Sequence, residues 1–272
     1  MKNIGDLLDP YYIRDSLSLE SKLLVPVLQV YENIGSTNDV LMEKNCVYPN
    51  GHACFAEHQI NGRGLANNKW IAAENNICFS VAWNFTKEMR NLYMLNYYIA
   101  IKLVKSFLTY GYNNINVKWP NDLIFNGSKF GGILIDTRYK KNSETYLVAG
   151  IGINLKLSEE DKKNIDQKST DLFSINKDLS LNRNKIASVL LESLIESLSN
   201  FKNCDYKELS EYWNNIDYNY DKLKTIIVDN KKIETTLKGI NEFGQLCCSH
   251  NKRLNLYNIN EVKIIKDEFI RN

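Results

Sequence analysis

The sequence predicts an α+β protein: a mixed β-sheet flanked by helices, then a small β-barrel at the carboxyl end. Three observations predict it. Strand-length runs rich in β-branched and aromatic residues recur at 27–31, 54–59, 77–83, 115–119, 133–135 and 146–149. Longer stretches with an apolar period near 3.6 lie at 92–110 and 181–201. From Lys222 onward only short strands remain, at 223–228, 233–238, 245–249 and 253–257. They are broken by Asp229-Asn230 and Asn241-Glu242-Phe243-Gly244, the texture of a small barrel.

A chain of 272 residues allows one large domain with a smaller one. The expected division is a short extension at 1–25, a large domain at 26–218 and the barrel at 219–272. Hydrophobic residues make up 44% and charged residues 24%, as in ordinary soluble proteins, and a net charge of +2 implies no commitment to nucleic acid or an anionic membrane. No apolar run approaches the ~20 residues of a membrane helix. Residues 1–6 contain no signal-peptide core, and Asp6 and Asp9 oppose a transit peptide. The six cysteines form no Cys-x-x-Cys pair, and His52, His58 and His250 are scattered, so no metal site and no histidine-based triad is visible. Reduced thiols in a cytoplasm are expected.

Residues 1–25 are polar with weak helical patterning. The strand at 27–31 leads into Gly35-Ser36-Thr37-Asn38-Asp39, where Ser36 or Thr37 can cap a helix through Val40, Leu41 and Met42. The strand at 54–59 runs into Asn61-Gly62-Arg63-Gly64-Leu65-Ala66-Asn67-Asn68-Lys69-Trp70. Two glycines around Arg63 make a flexible cationic loop suited to phosphate or carboxylate. It is neither a Walker loop nor a dinucleotide fingerprint. In the helix at 92–110, Leu95, Ile99, Leu103 and Phe107 form the inward stripe, with Tyr97 and Tyr98 structural.

Residues 118–134 carry the most information. The strands at 115–119 and 133–135 flank Asn126-Gly127-Ser128, a hairpin-turn signal. Lys118, Asp122 and Lys129 could converge on one polar site from the two arms, and Gly131-Gly132 would let a ligand approach the backbone closely. The strand at 146–149 continues into Gly150-Ile151-Gly152-Ile153-Asn154, where glycines allow another backbone to pass close. Residues 158–177 form a polar loop, followed by a helix at 181–201 with Ile186, Leu190, Leu194 and Leu198 inward. Another helix is expected at 205–213.

The ordered series Ser36-Thr37-Asn38, Gln59 with Gly62-Arg63-Gly64, Lys118-Trp119-Pro120-Asn121-Asp122, Lys129 with Gly131-Gly132-Ile133-Leu134, and Gly150-Ile151-Gly152-Ile153-Asn154 resembles the biotin–protein ligases over about residues 27–265. The resemblance implies a class II synthetase-like sheet, an SH3-like barrel and the type without a DNA-binding domain, since 1–25 is too short for a winged helix. It implies ATP-dependent activation of biotin as biotinyl-5′-AMP, then transfer to a lysine of the biotin carboxyl-carrier protein of acetyl-CoA carboxylase.

By the same resemblance, Arg63, Lys129, Asp122 and Lys118 carry the chemistry. Biotin would meet Ser36, Thr37, Asn38 and Gln59, the loop residues Gly62, Arg63, Gly64 and Leu65, and Lys129, Gly132 and Gly150. ATP and the adenylate would meet Arg63, Lys69, Trp70, Asn121, Asp122, Lys129 and Asn154. Leu65 departs from the family pattern, which usually has a second arginine there. ATP and Mg²⁺ are implied as co-substrates, with no protein-held metal and no tightly bound cofactor. The implied partners are the carrier domain, biotin and ATP, without nucleic acid or membrane; a homodimer is compatible with the pattern. The alternatives are a lipoate or octanoate ligase of the same fold and a non-catalytic biotin-binding regulator.

Overall fold

A seven-stranded sheet organises the chain. Its strands are β1 (Leu28–Ile34), β2 (His52–Gln59), β3 (Ile77–Phe85), β4 (Ile115–Lys118), β5 (Asp122–Phe125), β6 (Ser128–Tyr139) and β7 (Thr145–Ile153). They lie in the order β1-β2-β3-β7-β6-β5-β4, with β1 and β2 parallel and the other neighbours antiparallel. The sheet is therefore mixed, as expected. The computed structural model describes residues 7–265 apart from 45, 72, 86–90, 140–143 and 178–181. Residues 1–6, read above for targeting signals, and the expected helix start at 181 lie outside the described residues.

The helices are α1 (Pro10–Asp15), α2 (Leu19–Leu24), α3 (Thr37–Leu41), α4 (Met94–Thr109), α5 (Glu159–Asn164), α6 (Leu172–Ile175), α7 (Arg183–Asn200) and α8 (Tyr206–Ile216). Short polar side chains start them where the sequence supplies them: Asn182 accepts the Lys185 amide at α7, and Asp205 accepts those of Lys207 and Glu208 at α8. Such a cap is worth about 1 kcal/mol. α5 and α6 form inside the expected loop at 158–177, capped by Ser158 and Asp171.

Strand alternation gives the sheet two different faces. Register aligns Phe79, Ile151 and Ile133 across β3, β7 and β6, and aligns Ser80, Gly150 and Leu134 in the adjacent row. Successive side chains point to opposite faces. Phe79, Ile133 and Ile151 join a core with Leu95, Ile99 and Leu103 of α4 and Leu190, Leu191 and Leu194 of α7. Burial of each such side chain stabilises by ~1.5–3 kcal/mol. On the opposite face, Leu41 of α3 packs with Cys54, Ala82, Tyr146 and Val148.

The expected single hairpin is a three-stranded meander. Leu123-Ile124-Phe125 supplies β5, which pairs with both β4 and β6. Four residues between two turns are too few for alternation to declare a strand in the sequence. Asn126 and Gly127 turn with φ of 48° and 75°, as the turn chemistry requires.

The carboxyl region carries β8 (Leu223–Val228), β9 (Lys231–Ile240), β10 (Leu246–His250), β11 (Arg253–Tyr257) and β12 (Val262–Ile264), ordered β11-β10-β9-β8-β12 and antiparallel throughout. The expected barrel is thus an open five-stranded sheet: among the described residues no ladder joins β11 to β12. The three residues of β12 form one short ladder, used on β8. Asn214 of α8 ties this sheet down through the Ile240 amide (2.8 Å) and carbonyl (3.0 Å). Gly239, at φ 73°, makes room for it, since a Cβ there would lie 1.9 Å from Asn214 Oδ1. Tyr97 is structural, as expected: its hydroxyl donates to Gly244 O and accepts from Trp119 Nε1. No described helix is long and apolar enough to cross a membrane.

Candidate active site

Beyond α3, the second face of the sheet opens onto a cleft of about 1390 Å³. Gly150 and Gly152 make its floor. A Cβ on Gly150 would lie 2.1 Å from Asn38 Oδ1, and one on Gly152 2.7 Å from the Trp70 ring. Only glycine lets α3 and the 61–70 loop sit this low on β7. Apolar lining comes from Leu65, Trp70 and Leu134. Arg63, Lys69, Lys118, Lys129, Lys232 and Lys263 also line the cleft, against the carboxylates of Asp122 and Asp166. An apolar concavity with this excess of cations suits an anionic ligand with an apolar body.

A buried polar network occupies one end. Gln59 Oε1 accepts from the Thr37 amide at 2.8 Å and lies 3.1 Å from Thr37 Oγ1. Ser80 Oγ is 2.6 Å from Thr37 Oγ1 and 2.5 Å from Asn38 Oδ1, while Asn38 Nδ2 donates to Asp136 Oδ2 at 2.8 Å. Ser36 stands at the N-cap position of α3, yet its side chain makes no capping bond. The expected cap bond is not made; Gln59 instead takes the Thr37 amide, one of the free donors at this helix start, from the neighbouring strand.

The 61–70 loop is folded back on itself rather than open. Trp70 N donates to Gly62 O at 2.9 Å and Gly64 N to Asn68 O at 2.7 Å, and Arg63 and Lys69 form a β-bridge. Arg63 Nη2 lies 2.7 Å from both Asp136 Oδ2 and Asp39 Oδ1. Desolvation alone would lower the guanidinium pKa, but Asp136 first and Asp39 second outweigh it and raise it further. Leu65 begins a single 3-10 turn on the cleft wall, putting an apolar side chain there.

Lys118, Asp122 and Lys129 converge as expected. Asp122 opens β5 opposite Lys118, and its Oδ1 is 2.5 Å from Lys129 Nζ. The ammonium also lies 5.6 Å from the Trp70 ring centroid. The Lys129 backbone is clamped on its outer side: its amide donates to Lys168 O and its carbonyl accepts from Thr170 N, each at 2.9 Å. Of the two glycines after it, only Gly132 faces the site, where a Cβ would touch Lys129 Nζ at 3.3 Å. Gly131 faces the core, against Ile153 Cδ1. Asn121 and Asn154 brace this region through their amides. Asn121 Nδ2 donates to Ile133 O (2.7 Å) and Asn154 Nδ2 to Thr170 O (3.1 Å), while Asn154 Oδ1 accepts from Asn76 (3.1 Å).

Sequence reasoning missed Ser80, Asp39 and Asp136, together with the wall supplied by Lys232 and Lys263. Ser80 had a usable signal, a hydroxyl at an alternating position inside an otherwise apolar strand. Asp136 had none, because an acid past the end of an apolar run reads as a solvated strand end.

Residues 30–154 match the family model described as Biotin/lipoate A/B protein ligase family. The bifunctional ligase/repressor BirA of Salmonella typhimurium is 28% identical over 239 residues, which cover 88% of this chain and 74% of the relative. The biotin--[acetyl-CoA-carboxylase] ligase of Mycobacterium tuberculosis is 28% identical over 198 residues, covering 68% and 69% of the two chains. The solved biotin protein ligase from Aquifex aeolicus in complex with biotin and ATP has a TM-score of 0.74 at 25% identity, covering 89% of this chain and all of that one.

Proposed function

We propose that this chain, which belongs to the biotin/lipoate A/B protein ligase family through residues 30–154, activates biotin with ATP and transfers it to a lysine of a biotin carboxyl-carrier domain. The observation that carries the proposal is one cleft with two unlike ends. The Gln59–Thr37–Ser80–Asn38 network offers donors and acceptors at one end, and Arg63, Lys118 and Lys129 bring positive charge beside it. Biotin matches that pairing, with a ureido ring that both donates and accepts, an apolar chain and a carboxylate. A dithiolane ring has no N–H donor and no strong acceptor to add to the network, whereas each hydrogen bond that a ureido ring adds is worth about 0.5–1.5 kcal/mol, which favours biotin over lipoate.

In the first step a biotin carboxylate oxygen attacks the α-phosphorus of ATP, the bond to the bridging oxygen breaks, and pyrophosphate leaves. Two anions must meet, so fixed cations lower the barrier by stabilising charge on the phosphoryl oxygens. Arg63 and Lys129 take that role, with Lys118 beside them. Mg²⁺, which would arrive on the triphosphate, needs few protein ligands; among the described residues no cluster of three or more histidine, cysteine or acidic side chains stands ready for a metal. In the second step the carrier lysine amine attacks the acyl carbon, AMP leaves, and an amide forms. Asp122, paired with Lys129, orients that ammonium and takes up the proton that the amine sheds as the amide forms. Asn121 and Asn154 hold the backbone around the nucleotide, and Lys69 and Trp70 close over it. The division into a catalytic domain at 26–218 and a carboxyl-terminal domain at 219–272 belongs to the same proposal.

The test is an incubation of the pure protein with ATP, Mg²⁺, biotin and a carrier domain, followed by intact mass of the carrier. A biotin-sized gain is expected, and Lys129→Ala should abolish it. A gain with lipoate but none with biotin would overturn the choice of acid, and no gain with either would overturn the reaction.

A further inference from the structure

We propose that Asp136 is a positioning residue that sets the two ends of the cleft through a single carboxylate oxygen. Its Oδ2 accepts from Asn38 Nδ2 at 2.8 Å and from Arg63 Nη2 at 2.7 Å. No other side chain joins the buried network to the cationic loop in this way among the described residues.

Chemistry at the Asn38 end explains why a carboxylate is needed. A carboxylate only accepts, whereas the Asn38 amide has one donating and one accepting end. Asp136, with a longer bond from Nδ2 to the Leu134 carbonyl at 3.4 Å beside it, therefore turns Nδ2 toward β6 and leaves Oδ1 toward Ser80, 2.5 Å away. Asn38 is buried, so the choice is not averaged by solvent. The Asp136 carboxylate thus fixes which polarity the network presents to a ligand.

At the Arg63 end the same oxygen holds the guanidinium on the sheet side of the loop. Charge-assisted bonds of this kind are shorter and stronger than neutral ones. Asp39 also holds Arg63, but its side chain is 53% exposed and contributes a weaker, screened attachment. Asp136, at 24%, is the sheltered anchor and the one shared with Asn38. Its place on rigid β6, opposite Val148 of β7, makes both contacts reproducible.

The inference rests on the function proposed above only for what the two ends recognise. Asp136→Leu keeps about the same volume and removes the acceptor that both bonds share, so both are lost and Asn38 can flip. Asp136→Glu keeps the carboxylate. The experiment follows ATP–pyrophosphate exchange driven by biotin in the wild type and both variants, with melting temperatures. In parallel, hydrogen exchange of the Asn38 side-chain amide is followed by NMR in the unliganded proteins.

For Asp136→Leu the expected result is a biotin KM raised and a kcat lowered, each by about ten- to a hundredfold, with fast Asn38 amide exchange. Asp136→Glu should return both constants to within a few fold of wild type. A lowered melting temperature with unchanged KM and kcat would reduce Asp136 to a structural group and overturn the proposal, as would slow Asn38 exchange in Asp136→Leu. A wild type that exchanges with no acid would sink the proposed function instead, and the NMR comparison would still decide the role of Asp136.

Discussion

Alanine at Gly150 probes the cleft floor with a single methyl group. That methyl would lie 2.1 Å from Asn38 Oδ1 and 3.1 Å from Ser80 Oγ, the first more than 1 Å inside ordinary van der Waals contact. Asn38 cannot retreat freely, because its amide is bonded to Ser80 at 2.5 Å and to Asp136 at 2.8 Å. Relief requires breaking at least one of these bonds. A bond to a charged group is worth about 1.5–3 kcal/mol, and overpacking a tight site adds about 1–3 kcal/mol. The protein should therefore lose a few kcal/mol of stability, and its affinity for biotin should fall by about a hundredfold. Isothermal calorimetry with biotin and a thermal melt read both quantities. Gly152→Ala is the control, since its methyl strikes the Trp70 ring and not the polar network; its affinity for biotin should fall less. If Gly150→Ala bound biotin like the wild type and melted at the same temperature, Asn38 would not be fixed by its bonds as argued.

Two further predictions concern other parts of the chain. Burial pushes the Asp217 carboxyl up from 3.8 to about 6, against the opposing effects of the Asn219 amide, Lys222, Trp213 and Lys118. A folded-state value above the unfolded one favours folding while the group is protonated. That contribution is present below about pH 4 and is lost as pH rises through about 6, a change of up to about 3 kcal/mol. Asp217→Asn should flatten the fall in melting temperature across that window, and parallel wild-type and variant profiles would disprove it. Leu65→Arg adds a cation to the wall facing Arg63 and Lys69, so the variant should release biotinyl-adenylate more slowly in a filter-retention chase; equal release rates would show that this wall does not hold the intermediate.

Much of the scaffold was legible because its signals are local. The strands at 223–228 and 253–257 fall on their expected bounds, the first ended by the Asp229-Asn230 turn. Helix α4 follows from its period, and Gly150 and Gly152, two residues apart, had to share a face of one strand. Elements defined by few residues were not legible: β5, β12, α5 and α6 are three to six residues long, too short for any period to show. Closure of the final sheet was equally hidden, because it depends on whether β11 and β12 meet in space, which neither strand's composition records.

The site divides along the same line, and for a reason that bears on its chemistry. Cations announced themselves by type and by their place beside glycines and turns, so Arg63, Lys118 and Lys129 were found. Their partners were found only where sequence kept them close, as with Asp122, seven positions before Lys129. Asp39 and Asp136, the first 24 positions before Arg63 and the second 73 after it, meet it only through the sheet. Yet those partners decide how the cations behave. Both Arg63 and Lys129 are already paired with carboxylates in the ligand-free protein, so an arriving carboxylate or phosphate exchanges partners with them. Little side-chain freedom is then left to lose on binding, and the positive charge is aimed before the substrate arrives, the condition under which fixed charges lower a barrier most.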